Sequence, residues 1–108
     1  MNKALLVLIS CEDKNQAERI GELVLKKKLA ACVQIVNAVD SIFLWPSGKN
    51  RLDYAEEALL LVKTMESKWK QLEKEVISAH SYENPEIIAV SLTHVTRKYL
   101  EWLMSELK

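Results

Sequence analysis

The stretch that most constrains this chain runs from Ala31 to Trp45, "ACVQIVNAVDSIFLW". The turn Pro46-Ser47-Gly48-Lys49-Asn50 follows it, and then a second apolar stretch from about Ala55 to Thr64. Val, Ile, Phe, Leu and Ala dominate the first stretch, with polar interruptions at Gln34, Asn37, Asp40 and Ser41, a composition that favours strand. The alternation slips near Asn37-Ala38, which predicts a bulge within one long strand. Residues 31–45 would extend roughly 45–50 Å as a single strand. A compact domain of this size has a radius of gyration near ~13 Å, hence a diameter of roughly 35 Å. The hairpin therefore overshoots its own domain, and Ile42, Phe43, Leu44 and Trp45 lie on the part that protrudes. An exposed apolar edge invites association, and a cyclic oligomer of identical chains removes every such edge at once. A homo-oligomer is the expectation. The alternative is a strand that breaks at the bulge and folds back over its own sheet.

The remaining elements follow from periodicity. Leu5 to Ile9 is a continuous apolar run, as in a covered central strand. Asp13 and Gln16 have capping-box spacing, and Ala17, Ile20 and Val24 repeat at helical intervals as far as Lys26-Lys27-Lys28, where cations suit a helix end. Ser67 is the expected cap of a second helix carrying Trp69, Leu72, Val76 and Ala79. Ile88, Val90 and Leu92 alternate in a fourth strand. Thr96 is the expected cap of a last helix through Leu100, Leu103, Met104 and Leu107. The order β-α-β-β-α-β with a terminal helix predicts an α+β fold in one domain spanning residues 1–108. It is a ferredoxin-like split βαβ sandwich, with an antiparallel sheet, two helices on one face, an extended hairpin and a C-terminal helix.

Fifteen acidic residues balance 15 basic ones, which leaves no field to draw in nucleic acid or an anionic membrane. No apolar run approaches the roughly 20 residues of a membrane span, and no export signal is apparent, so a cytoplasmic setting is expected. Cys11 and Cys32 have no metal-site spacing and read as reduced thiols. The loop Cys11-Glu12-Asp13-Lys14-Asn15 is acidic and lacks the glycine and arginine with which a hydrolase of this fold cradles phosphate. The central strands carry Leu, Val and Ile where an RNA-binding sheet carries aromatics, and Cys-x-x-Cys of a metal carrier is absent. The chain reads as non-enzymatic.

The topology brings the end of the first strand and the end of the second helix to one edge of the sheet, which places Cys11 near His80. A thiolate and an imidazole suit Cu(I), Cu(II) or Zn(II), with Glu12, Asp13, Glu83 or a neighbouring subunit supplying further ligands. The plainer reading makes His80 a helix-end cap and Cys11 a small packed residue. Lys63 interrupts an apolar strand beside Cys32, at the sheet end opposite His80. It suits an anionic group in an intersubunit cleft, with Glu57 contributed from elsewhere in the assembly; a structural salt bridge is the simpler role. Tyr82 and Trp45 complete this candidate ligand cleft of Lys63, Glu57, Tyr82, Cys32 and Trp45, with core and interface packing as their alternative.

The segments "LVLISCEDKNQAERI", "KKKLAACVQI", "LLLVKT", "HSYENPEI" and "YLEWL" occur in an order that resembles the CutA divalent-cation tolerance family, from about residue 4 to residue 107. The resemblance implies a tight homotrimer with long hairpins around the threefold axis, and an association with tolerance to divalent metals, copper above all. It implies Cu(II) or another divalent cation as a ligand not required for folding. A trimeric small-ligand sensor or scaffold is the competing function. The chain departs from the family at the hairpin, which reads Leu44-Trp45-Pro46-Ser47-Gly48-Lys49, and at Ser81, where proline is common. Of the family's copper-associated positions, Ile9 and Ala79 stand where ligands are found, so only His80 carries over.

Overall fold

The computed structural model describes residues 2–108. The apolar run forms β1 (Ala4–Cys11), which lies inside the sheet between β3 (Leu52–Met65) and β4 (Ile87–Ser91). The other hairpin strand, β2 (Cys32–Leu44), lies outside β3. The order β2-β3-β1-β4 is antiparallel throughout. This is the split βαβ arrangement predicted from the order of elements, with α1 (Lys14–Lys26), α2 (Trp69–Ala79) and α3 (Arg97–Glu106) attached.

Alternation sorts the strand residues onto two faces. Leu5, Val7, Ile9 and Cys11 from β1, with Ala58, Leu60 and Val62 from β3, are buried against Ala17, Ile20 and Val24 of α1 and Leu72 and Val76 of α2. Gly21 lets α1 come close: a Cβ there would stand 3.0 Å from Val33 Cγ2. A smaller cluster forms at the sheet end, where Leu103 and Leu107 cover Ala4 and Met65. The opposite face has no helix over its centre. There the register sets Leu61 beside Leu8 and Leu8 beside Ile88, and Val36, Ile88 and Val90 are about half exposed.

Local chemistry accounts for the element ends. Asp13 accepts the Gln16 N–H at 2.8 Å, and the Gln16 side chain accepts the Glu12 N–H at 2.8 Å, a capping box displaced by one residue. At the other end of α1, Lys28 adopts a left-handed φ of 60°. The Leu29 N–H donates to Val24 O and the Lys28 N–H to Leu25 O, a Schellman ending in which lysine occupies the usual glycine position. Two expected caps differ from the prediction. A 3-10 turn, Glu66–Lys68, precedes α2, so Ser67 lies inside it with its N–H donating to Asn2 Oδ1. Thr96 occupies the cap position of α3 without a side-chain bond.

The hairpin is one long ribbon. Its second strand begins at Leu52 rather than near Ala55. The expected bulge lies between Val36 and Val39, with Ala38 at a left-handed φ of 59°. The tip turns through Gly48 and Asn50, both at positive φ, and is closed by Trp45 N–H donating to Arg51 O at 3.0 Å. The molecule measures 46 × 26 × 24 Å with a radius of gyration of 14.7 Å. That exceeds the ~13 Å of a compact chain of this length. Ile42, Leu44, Leu52 and Tyr54 on the protruding part are each more than 60% exposed. The strand does not fold back over its own sheet.

Candidate functional site

Four segments meet where β1 ends. Ser10 N–H donates to Glu86 O at 3.3 Å and its hydroxyl to Glu86 Oε1 at 3.2 Å, which ties the approach to β4 against β1. His80 follows α2 in extended conformation. Its Nε2 lies 2.7 Å from Ser10 O, an acceptor only, so Nε2 carries the proton and donates. Nδ1 accepts the Tyr82 N–H at 3.0 Å. Gln16, almost fully buried, donates from Nε2 to Ser81 Oγ at 2.7 Å. Tyr82 then reaches across to β3, its hydroxyl donating to Glu57 Oε2 at 2.7 Å.

Beside this junction, between the hairpin and residues 82–86, lies a cleft of about 670 Å³. Phe43, Trp45 and Tyr82 contribute aromatic surface. Asp53, Glu57, Glu83 and Glu86 contribute carboxylates, and no lysine or arginine lines it among the described residues. Burial first, then the hydrogen bond and charge of Glu57, hold the Tyr82 phenol protonated well above its ordinary range.

The structure separates the residues that the sequence grouped. Glu57, Tyr82 and Trp45 share this cleft, and Glu57 comes from the same chain as Tyr82. Lys63 and Cys32 face each other at the far end of the sheet. Lys63 there donates to Gln34 Oε1 at 2.8 Å and lies 5.8 Å from the centre of the Tyr99 ring. Six residues of strand, roughly 20 Å, divide Lys63 from Glu57. Ser10, Gln16 and Glu86, which organise the junction, were not singled out as site residues. Gln16 offered one signal, its capping-box spacing, and that was absorbed by the local helix start.

Cys11 and His80 lie at the same end of the subunit but do not fit a copper or zinc centre as folded. Both imidazole nitrogens are engaged by backbone partners. The Cys11 side chain is buried, and burial, then Glu57, Asp13 and Glu12, push its thiol up to about 12, whereas a metal ligand must be a thiolate. Among the described residues no three His, Cys, Asp or Glu side chains converge as a ready-made metal site.

The protonated thiol has a measurable consequence. Its ordinary value is 9.0 and its folded value about 12, so the unfolded chain releases the proton first. The stabilisation is complete below about pH 9 and is lost as pH rises toward about 12. The unfolding free energy is expected to fall by up to about 1.4 kcal/mol per pH unit in that window. Denaturant titrations of the parent and Cys11→Ala check it, and an equal alkaline slope in both excludes Cys11 as the cause.

Comparison with known proteins places this architecture. A family model described as CutA1 divalent ion tolerance protein matches residues 5–106. The chain belongs to the CutA1 family. It is 39% identical over 93% of its length to Protein CutA 1, chloroplastic, from Oryza sativa, covering 55% of that protein. The chain thus spans about half the length of the curated plant relatives it matches. Among solved CutA structures, CutA1 from Shewanella sp. SIB1 is 36% identical with a TM-score of 0.90, covering 96% of this chain and 94% of that one. The periplasmic divalent cation tolerance protein CutA from Archaeoglobus fulgidus is 31% identical with a TM-score of 0.91, covering 97% and 99%. These two settings overturn the cytoplasmic expectation, because CutA relatives described as chloroplastic and as periplasmic share the fold and sequence from which it was drawn. Among the described residues no helix is long and apolar enough to cross a membrane.

Proposed function

We propose that the chain acts as a homotrimer in tolerance to divalent cations, copper among them, without catalysing a reaction of its own. The observation that carries the reading is exposed apolar surface on two parts of the molecule, Val36, Ile88 and Val90 on the open face of the sheet and Ile42, Leu44 and Leu52 on the protruding hairpin. Apolar surface of that extent is covered by another chain in stable proteins, and copies about an axis cover both parts with equivalent contacts. The family resemblance supplies the number three, and the relatives' names supply the link to divalent cations. With Cys11 and His80 occupied, the groups left to meet a cation are carboxylates of the cleft, Asp53 and Glu57 foremost. These favour hard ions and bind weakly unless a second chain adds ligands.

Sedimentation at micromolar concentration tests the assembly, with a three-chain mass expected and a well-folded lone chain refuting it. Calorimetric titration with Cu(II) and Zn(II) tests the site. Glu57→Gln is expected to weaken binding about tenfold or more, and Cys11→Ala to leave it unchanged. The reverse pattern returns the site to the thiol. A second reading, a trimeric sensor of a small organic ligand, is favoured by the aromatic wall of Phe43, Trp45 and Tyr82 in a cleft of small-molecule size. It gains if neither ion gives heat.

A further inference from the structure

The ring of His80 does something that neither the assembly nor the cation reading uses. Its neutral form satisfies two backbone groups at once, Nε2–H donating to Ser10 O and Nδ1 accepting from Tyr82 N–H. A second proton on the ring preserves the first bond and destroys the second, because Nδ1–H then faces an N–H that can only donate. We propose that His80 is a proton-operated latch: proton uptake releases the Tyr82 backbone and uncouples the Tyr82 phenol from Glu57.

The linkage is short. Tyr82 is the residue whose N–H the ring holds and also the residue whose hydroxyl holds Glu57 at 2.7 Å. The two rings lie 4.8 Å apart between centroids. Gln16, which grips Ser81 between them, does not titrate, so the segment keeps one anchor while it loses the other. The titratable and charged groups at this junction come from each neighbouring element. Cys11 ends β1, Glu12 and Asp13 form the turn into α1, Glu57 stands on β3, and Glu86 leads into β4 with its carboxylate on Ser10. The α2 residues just before the ring, Ser78 and Ala79, carry no charge. With thiol and phenol both held protonated, the charges present are carboxylates, which receive an imidazolium once the Tyr82 bond is gone. Release returns the Glu57 carboxylate to the cleft without its phenol partner. The latch stands whether or not a cation occupies that cleft.

Nuclear magnetic resonance on the full chain in its native assembly tests this, with labelled histidine and tyrosine followed from neutral to acidic pH. At neutral pH the His80 ring is expected to give the pattern of a single neutral tautomer with the proton on Nε2. As its signals pass to the imidazolium, the Tyr82 amide is expected to lose its downfield shift. Measured against the intrinsic exchange rate at each pH, that amide should lose roughly five- to tenfold in protection, the loss of one ordinary hydrogen bond, and the phenol signal should follow with the same midpoint. His80→Asn keeps an acceptor for the N–H two residues on, in an Asx turn, and has no ring to protonate. In it Tyr82 should stay latched across the titration. In Glu57→Gln the amide should still release at the His80 midpoint, which separates the latch from titration of Glu57 itself. Tyr82 signals that stay fixed while His80 titrates would overturn the proposal. So would the same transition in His80→Asn. If that variant fails to fold, the match of midpoints in the parent protein decides.

Discussion

Leu61→Glu is expected to give a folded chain that no longer assembles. Leu61 lies on the bare face, opposite Leu8 and Gln34 in the register, and is only partly covered in the isolated chain. A glutamate there faces water in the lone subunit and costs the fold little. In an assembly that closes over this face it becomes a carboxylate without a partner, repeated in every copy around the axis. Burying an unpaired charge costs several kcal/mol per ion, so association is expected to weaken by about a thousandfold or more. Sedimentation should report the mass of one chain while far-ultraviolet circular dichroism remains that of the parent. An unchanged mass would mean that this face is not an interface. Lost ellipticity would mean that Leu61 serves the fold.

The preceding residue behaves in the opposite way. Leu60 points to the helical side, is fully buried, and lies next to Gly21, where its Cδ1 stands 3.5 Å from the position a Cβ would take. Leu60→Ala removes apolar contact on β3 beneath α1 and leaves a cavity that the helix can fill only in part. A cost of about 3–4 kcal/mol is expected, a large share of the roughly 5–15 kcal/mol that holds a domain together. Denaturant unfolding should register it as a lower midpoint at unchanged slope. Assembly should persist at concentrations where the chain remains folded. Adjacent residues thus fail in different ways because strand side chains alternate between faces, and a shared phenotype for the two would contradict the assignment of faces.

Much of this was legible in the sequence because the signals were strong and local. The run Leu5 to Ile9, the helical spacing of Ala17, Ile20 and Val24, and the slip at Asn37-Ala38 each dictated one element or irregularity. The start of the second hairpin strand was not legible, because Asp53 and Tyr54 carry little apolar alternation and are held in strand form by pairing with Phe43 and Ile42 of β2. Ser67 has the chemistry of a cap, but Asn2, distant in sequence, takes its N–H. At the site, proximity of Cys11 and His80 followed from topology, whereas their engagement did not. That depends on which ring nitrogen meets Ser10 O and which meets the N–H of Tyr82, and spacing carries no such information. Glu57 was paired with Lys63 as a contribution from another copy of the chain, and within one chain both stand on β3 with the same facing. Only the distance along β3 divides them.

The irregularity between Val36 and Val39 reaches beyond its own geometry. One surplus residue in β2 rephases everything toward the tip, so that Ser41 and Phe43 stand opposite Ala55 and Asp53, on the side of Glu57. Had the ladder run without it, Asp40 and Ile42 would have stood opposite Ala55 and Asp53, and Phe43 would have turned away from the cleft. Deleting or inserting a single amino acid at this point would exchange the lining of the recess while leaving every buried contact beneath α1 and α2 intact. The chain thus keeps a means of altering what its cleft receives at no expense to the body that carries it.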